Sequence, residues 1–403
     1  MTYRPGERRA RKSLRIARDA LIVLVLSVYL FLGFTTLLEL TGRKPLPGHY
    51  LQDFHFYARA YRDALAQGDP YLVRDIGPAF LYPPPALLFV APFAQIKSLM
   101  PKVAALGVTN IVLVCLMTYG VARRYDQSVR RVWWWFPLVL GFAPVLETLL
   151  LGQINVITHF GVFLMLFWQQ SAPVWSGAGL ALGIATKVTP VAFIGYLAAD
   201  RNLKAIGGAL VGGTALGLIA GWAFGWRSFY VFIDVFRELM DSFPLGPNVH
   251  SFGALLESHT ALDASGVPAA QQALTIYLGT LFLVSALSTY LMRESEPLFI
   301  VLGLGLTLMP NVVWYHHYAF FLLPLLVWMA WSDHHPLVVA WCVLGLTAIQ
   351  VDRLYSFLGE LSHGAMAHGF GHLTILLITA WQIRHAVLLL RHHRLGPLLA
   401  WWR

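Results

Sequence analysis

The stretch HYLQDFHFYARAYRDALAQGDPY (49–71) lies between two apolar segments and decides how the chain is interpreted. A long apolar run precedes it over 19–40, and FLYPPPALLFVAPF (80–93) begins more apolar sequence after it. The pattern therefore predicts a polar loop held against a membrane, directly after a first span. Asp53 is the first acid of this loop and has His55 and aromatic residues beside it. A carboxylate in that setting is suited to deprotonating a hydroxyl group of an amphiphilic substrate.

The composition is that of a membrane protein. Of 403 residues, 57% are hydrophobic and only 12% are charged, whereas soluble domains have about 25% charged residues. We expect an all-α polytopic membrane protein that forms one integral-membrane domain over 1–403, with roughly 10 to 12 transmembrane helices. The apolar runs fall near 19–40, 103–122, 132–151, 154–168, 174–199, 205–226, 271–292, 297–313, 317–331, 336–350 and 371–391.

The charge distribution predicts the orientation. Seven Lys and Arg residues in 4–18 precede the first run, so the N-terminus should be cytoplasmic and the loop 41–83 outside the cell membrane. The second long polar segment, 227–270, is expected to lie with amphipathic helices at the interface, as is 41–83. The net charge of +9 falls largely at juxtamembrane positions that favour anionic lipid head groups, so no nucleic acid partner is expected.

Two basic clusters conflict with a simple count of crossings. The basic residues of 123–131 and those of 201–204 should all be cytoplasmic, but this fails if every apolar run crosses the membrane once. One run must therefore be broken or re-entrant. The candidates are 84–96, which is short and bounded by prolines, and 174–199, which contains Lys187 and Pro190. Irregular backbone at membrane depth is tolerated only where it lines protein or a water-filled cavity.

Asp53 has two interpretations. It precedes a helical pattern, FHFYARAYRDAL, and can be the N-cap of that helix. It can also be a general base, because a partly desolvated carboxylate has its pKa raised toward the working pH.

The pair His316 and His317 starts a late apolar run. Adjacent side chains on a helix point about 100° apart, so the two imidazoles rarely bind one metal ion together. They are either interfacial histidines at the entrance of a span or hydrogen-bonding groups that face a phosphate or a developing anion.

Lys187 lies in the middle of an apolar run, with Thr186, Thr189 and Pro190 around it. This composition predicts a broken helix that faces a polar cavity, where the ammonium group binds an anion such as a phosphate. The sequence GQIN (152–155) adds Gln153 and Asn155 at the end of a span, as hydrogen-bonding groups or as a helix cap. No Walker loop, dinucleotide-binding loop or zinc motif is present, so we expect no cofactor and no metal.

The ordered set of motifs resembles a known family. It consists of D-x-x-x-Y (53–57), G-D-P-Y (68–71), Y-P-P (82–84), G-Q-I-N, K-x-T-P (187–190) and W-x-H-H (314–317). This set resembles the polyprenyl-phosphate-sugar-dependent mannosyltransferases of the GT-C superfamily. It is similar in particular to the α-1,2-mannosyltransferases of phosphatidylinositol mannoside synthesis, in glycosyltransferase family 87.

The resemblance implies an inverting transfer of mannose from a polyprenyl-phosphate donor to a glycolipid or glycan acceptor, on the extracytoplasmic face. Asp53 would be the catalytic base, and His316 or His317 would act with it. Two departures from the family pattern are visible: MPNVVW lacks the serines that relatives carry before the histidine pair, and PNVHS (247–251) replaces N-Q-S. The residues expected to bind substrate are Lys187, Arg59, Arg62, His55, Tyr57, Tyr82, Gln153, Asn155, Asn248 and Trp314.

A second class of protein explains some of the same features. A transporter or flippase of a lipid-linked substrate would also have broken helices with intramembrane Lys and His residues. The absence of paired inverted halves and the concentration of polar residues in one external loop favour the enzyme.

Overall fold

The computed structural model describes residues 29–30, 33, 51–73, 79–245, 249–260, 263–357 and 364–392, and contains helices and no strand in those ranges. The basic N-terminal arm, most of the run 19–40, and Asn248 lie outside the described residues.

Seventeen α-helices are described from Gln52 onward, nine in the first half of the chain and eight in the second. In chain order they are α1 (Gln52–Gln67), α2 (Ala86–Ala94), α3 (Leu99–Arg124), α4 (Val129–Val132), α5 (Trp135–Leu140), α6 (Ala143–Leu151), α7 (Asn155–Trp168), α8 (Pro173–Thr186), α9 (Phe193–Ala199), α10 (Leu203–Phe224), α11 (Arg227–Met240), α12 (Phe252–His259), α13 (Val267–Met292), α14 (Glu296–Leu308), α15 (Leu322–Trp331), α16 (Pro336–Phe357) and α17 (Ala365–His392). Short 3₁₀ helices over Thr189–Ala192 and Tyr315–Phe321 precede α9 and α15.

The described chain is an all-α polytopic membrane protein, as the sequence predicts. Four helices are long and apolar enough to cross a membrane: α3, α10, α13 and the part Ala365–Leu389 of α17. Shorter apolar helices fill the space between them, over Asn155–Trp168, Thr189–Ala199, Glu296–Leu308 and Pro336–Asp352. The total of 10 to 12 spans stays a prediction, because most of the first run is outside the described residues.

Glycines let α7, α8 and α10 pack with their backbones in contact. A side chain at Gly177 of α8 would collide with the carbonyl oxygen of Ala205 in α10, and one at Gly208 of α10 would collide with that of Val174. Gly161 of α7 faces α8 in the same way. Where lipid tails are as apolar as the side chains, close backbone approach is a main source of helix association. These three helices therefore form one closely packed unit.

The second half of the bundle is held by hydrogen bonds between helices. Ser285 in α13 donates to Gln382 Oε1 in α17 over 2.6 Å, and Trp341 in α16 donates to Thr374 in α17 over 2.9 Å. Gln271 in α13 donates to the carbonyl of Met309, just after α14, over 2.6 Å. Side chains that would otherwise be unpaired in apolar surroundings thus fix the register of these helices.

The run 174–199 is a hairpin that enters and leaves the bundle at the same end. α8 and the 3₁₀ turn before α9 meet at Lys187, where the backbone is extended. Before α8, Gln169 donates from Nε2 to Asp200 Oδ2 over 2.7 Å, and its backbone carbonyl accepts from Asn202 Nδ2 over 2.9 Å. Since Asp200 and Asn202 directly follow α9, the two ends of the run lie together.

This hairpin removes the conflict between the two basic clusters. Arg124, at the end of α3, donates to Gln169 Oε1 over 3.1 Å and lies 3.9 Å from a carboxylate oxygen of Glu296. The residues that follow Arg124 and those that follow α9 are therefore at one end of the bundle, which we call the arginine end.

The other candidate for a re-entrant run, 84–96, also stays at one end. It forms α2, which packs on α1 through the rings of Phe93 and Phe54, with centroids 6.3 Å apart. Gln95, at the end of α2, donates to the hydroxyl of Tyr61 in α1 over 3.3 Å. At its other end, the hydroxyl of Tyr82, just before α2, lies 3.0 Å from that of Tyr57 in α1. Both ends of α2 therefore remain beside α1, opposite the arginine end.

Gln169 should be a stability residue of the arginine end. Its side chain also accepts from the Tyr196 hydroxyl over 2.7 Å, so Gln169→Leu leaves several buried polar groups without a partner. We expect a loss of about 1–3 kcal/mol of unfolding free energy, measured as a lower midpoint of thermal unfolding in detergent. Gln170→Leu is the matched control, because the Gln170 side chain is exposed. Equal midpoints for the two variants would contradict this role.

Candidate active site

One cavity of about 990 Å³ connects the loop helix α1 with the interior of the bundle. Its polar wall is formed by α1, by the segment 79–83, by the end of α6 and by the 3₁₀ helix at 315–321. Its apolar arm runs between the hairpin, α14 and α15. The members of that arm include Val188, Pro190, Phe193, Phe299, Gly303, Leu306, Leu323 and Pro324.

Asp53 lies inside the first turn of α1 and lines this cavity. The N-cap position belongs to Leu51, whose backbone is left-handed at φ 58° and whose N–H donates to the carbonyl of Leu150 over 2.8 Å. The interpretation of Asp53 as the N-cap is therefore wrong. Its side chain is free to face the cavity.

The Gln153 side chain connects Asp53 to two tyrosines. Its Oε1 accepts from the hydroxyl of Tyr57 over 2.5 Å and from that of Tyr82 over 3.0 Å. Two hydroxyl donors on Oε1 orient the amide so that Nε2 donates to Asp53 Oδ2. The network holds the carboxylate in one position, and its members come from three separate parts of the chain.

Gly152 makes this arrangement possible. It ends α6 with φ 70°, in the left-handed region that favours glycine. A Cβ there would lie 2.7 Å from Leu51 Cδ2 and 2.8 Å from Phe54 Cβ. The chain can therefore turn tightly under α1 and present Gln153 to Asp53.

The environment of Asp53 adjusts its acidity. Burial raises the pKa of this carboxyl to about 6, and the hydrogen bond from Gln153 opposes that rise because it stabilises the charged form. Near neutral pH the group is mostly ionised, so it can accept a proton. Its pKa is also close enough to the working pH for efficient proton transfer.

Lys187, at the tip of the hairpin, brings a cation into the cavity. Its Nζ lies 3.2 Å from His317 Nε2 and 5.1 Å from the centroid of the Phe320 ring. The hydroxyls of Thr158 and Thr186 are 2.9 Å apart beside it and fix the hairpin tip against α7. Within the described part of the chain, no carboxylate is in ion-pair contact with Lys187.

His316 and His317 both line the cavity, together with Trp314. His317 Nδ1 accepts from the Trp314 backbone N–H over 3.4 Å. His316 is 4% exposed, and its Nε2 has no hydrogen-bond partner among the described residues. The structure thus brings the late histidine pair to the same cavity as Asp53.

Other residues that the sequence singles out lie away from the cavity. Arg59, Arg62 and His55 are exposed on α1 and are not part of its wall. Asn155 is fully buried at the start of α7, next to the cavity wall but not in it, and the cap position there is Ile154.

Three titratable residues of the cavity wall were not found by sequence reasoning: His159, Glu147 and His250. His159 is 6% exposed, and its ring lies against Phe320, with centroids 3.5 Å apart. A signal for it existed, since it is a polar side chain within the apolar run 154–168, where such residues are costly.

The fold and the cavity define an integral-membrane protein with a site for an amphiphilic molecule. The model of glycosyltransferase family 87 matches residues 80–314. The chain therefore belongs to glycosyltransferase family 87 and is a membrane glycosyltransferase. The matched region contains Lys187 and Gln153, whereas Asp53 precedes it and His316 follows it.

A curated relative supports the same family. Over 300 residues the chain is 26% identical to a protein of Mycobacterium tuberculosis, and the match covers 68% of this chain and 67% of the relative. That protein is a polyprenol-phosphate-mannose-dependent alpha-(1-2)-phosphatidylinositol mannoside mannosyltransferase.

The Gln153 hydrogen bond should be measurable as a pKa shift. In Gln153→Met the Asp53 carboxyl stays buried but loses the donor that stabilises its charged form, so its pKa should rise above about 6. Infrared titration of the carboxyl C=O band checks this, with Asp53→Asn used to assign the band. A midpoint that is unchanged or lower in Gln153→Met would contradict the argument.

Proposed function

We propose that the chain transfers a mannosyl residue from a polyprenyl-phosphate donor to a hydroxyl group of a glycolipid or glycan acceptor, with inversion at the anomeric carbon. The proposal depends on one observation above all. The carboxylate of Asp53 and the Lys187–His317 pair line one cavity, whose remaining arm is apolar.

In this reaction Asp53 accepts the proton of the acceptor hydroxyl. The hydroxyl oxygen attacks the anomeric carbon of the donor sugar while the bond from that carbon to the phosphate oxygen breaks. Polyprenyl phosphate leaves with the bonding electron pair. Because Gln153 holds the carboxylate in place, little reorganisation is needed when the proton moves.

Lys187 and the histidine pair would serve the phosphate. Negative charge on the phosphate increases as the glycosidic bond breaks, and donors fixed in a desolvated site stabilise that charge better than water does. The apolar arm between the hairpin, α14 and α15 would hold the first isoprene units of the donor. The mycobacterial relative, which uses polyprenol-phosphate-mannose by name, supports this donor.

The membrane orientation is also proposed. The basic residues after α3 and after α9 lie at the arginine end, and positive charge favours the cytoplasmic side. The cavity mouth at α1 is at the opposite end of the bundle. The active site would therefore open to the extracytoplasmic face, where the acceptor is found.

The deciding experiment uses the purified full chain in lipid nanodiscs. Polyprenyl-phosphate mannose is incubated with a panel of glycolipid and glycan acceptors, and products are identified by mass spectrometry. A product one hexose heavier than an acceptor supports the proposal. The same protein is also reconstituted into lipid vesicles, and movement of the donor across their membrane without any product would contradict the proposal and favour a transporter or flippase.

Asp53→Asn should abolish most of the transfer. The amide keeps the shape of the carboxylate but cannot accept a proton, so kcat should fall on the order of 10²–10⁴-fold, with donor binding largely kept. In the unchanged protein, kcat/KM should also fall as the pH drops below about 6, because protonation removes the base. Asp63→Asn, on the same helix but away from the cavity wall, is the control. Near-normal turnover in Asp53→Asn would disprove the assignment.

Lys187→Met should weaken the binding of the donor. A lost hydrogen bond to a charged group corresponds to roughly a 10-fold to 100-fold higher Kd. The measurement is a binding titration with polyprenyl-phosphate mannose, and Lys204→Met is the control because Lys204 is exposed at the arginine end. An unchanged Kd in a folded Lys187→Met protein would make the lysine structural.

A further inference from the structure

Hydrogen-bond donors converge on the space beside the Phe320 ring. Lys187 Nζ is 5.1 Å from its centroid on one approach, and the His159 imidazole contacts the same ring on another. The hydroxyl contact between Thr158 and Thr186 explains this proximity, because His159 and Lys187 are the residues that follow each of them. Two nitrogen-bearing side chains from α7 and the hairpin tip therefore share one corner of the cavity.

The contact between Lys187 and His317 requires an acceptor. The Trp314 N–H donates to His317 Nδ1, so the ring proton of the neutral imidazole is on Nε2. That N–H faces the Lys187 ammonium group at a separation of 3.2 Å. When Lys187 is charged, both groups are donors and cannot satisfy each other. An oxyanion that accepts one hydrogen from each would resolve the contact.

His159 also has ring nitrogens without a hydrogen-bond partner among the described residues. Its side chain is 6% exposed, and Nε2 has no hydrogen-bond partner among the described residues. Nε2 is enclosed by the protein, whereas Nδ1 is the ring nitrogen left open where His159 lines the cavity, and it makes no hydrogen bond to the described residues. A molecule bound there can therefore accept a hydrogen bond from Nδ1–H.

We propose that His159 is the third donor of an oxyanion site, with Lys187 and His317, and that the group it recognises best is a phosphate monoester on an isoprenoid lipid. Its identity as the leaving group rests on the proposed function. The apolar arm begins at Val188 and Pro190, directly after Lys187. A phosphate held at the hairpin tip would thus have its hydrocarbon chain in that arm.

Charge explains the preference for the monoester. The donor is a phosphodiester with one negative charge, whereas the polyprenyl phosphate formed by transfer is a monoester with up to two. A further N–H donor aimed at the phosphate gains more from the species with more charge. His159 would therefore favour the products of bond breaking over the bound donor.

The test is the binding of sugar-free polyprenyl monophosphate to the purified full chain in nanodiscs. His159→Phe keeps an aromatic ring but removes the N–H, and His159→Gln keeps a donor. His372→Phe is the matched control, since His372 also packs on aromatic rings but lies away from the cavity. We expect Kd for the monophosphate to rise on the order of 10-fold in His159→Phe, with a smaller rise in His159→Gln and none in His372→Phe. The Kd for the mannosylated donor should rise less.

The outcomes separate this inference from the proposed function. If His159→Phe binds the monophosphate more weakly, the oxyanion site is supported. If the unchanged protein at the same time transfers no mannosyl residue, the proposed function is contradicted while the oxyanion site is kept. Normal transfer with equal Kd values for the unchanged protein and His159→Phe overturns the role of His159. A larger loss for the donor than for the monophosphate overturns the preference. If His159→Phe does not fold, the Kd of His159→Gln for the monophosphate decides. Because glutamine keeps an N–H donor, a Kd at least as high as that of Lys187→Met would overturn the role of His159.

Discussion

The hydrogen bonds that Gln169 makes to Asp200 and Asn202 are the constraint on which much of the rest depends. They close the base of the hairpin, so that an apolar run of 26 residues does not cross the bundle. The helix that follows, α10, then leads back to the end that holds α1. If the run crossed, Lys187 would lie along a continuous helix and the second basic cluster would be at the opposite end. Pairing of buried polar groups therefore sets both the topology and the position of the cation.

The cavity combines two halves that depend on different forces. At its polar wall, hydroxyl and amide groups fix one carboxylate, and the hydrogen bond from Gln153 offsets part of the cost of its burial. In its arm between the hairpin, α14 and α15, most lining side chains are apolar, with Thr189 and Thr307 as polar members, and we propose that this arm holds the hydrocarbon chain. The nitrogens of Lys187, His317 and His159 lie where the halves meet. An amphiphile that carries a sugar, then an anionic group and then a lipid chain presents polar, charged and apolar parts in the same order as the cavity.

The sequence predicted the positions of some site residues better than those of others. The sequence leaves the roles of Asp53, Gln153 and Tyr82 open, since a cap, a turn and a catalytic group use the same residue types. Their hydrogen bonds with one another and with Tyr57 are visible only in the structure. Arg59 and Arg62 are basic residues near Asp53 in sequence, but a helix turns their side chains to solvent. His159 was missed although a polar side chain within the apolar run 154–168 is costly, because no recognisable motif surrounds this histidine.

The sequence by itself determined that the chain is a helical membrane protein, because apolar runs of about 20 residues match the length of a spanning α-helix, which satisfies every backbone hydrogen bond within the segment. It also determined that Lys187 must face an interior, since an ammonium group in hydrocarbon is costly wherever it lies. Only the tertiary structure decided which run turns back and which distant residues meet. Those outcomes depend on hydrogen bonds between residues distant in sequence, such as Gln169 with Asp200 and Gln153 with Asp53. No pattern in the sequence around either partner predicts such a contact.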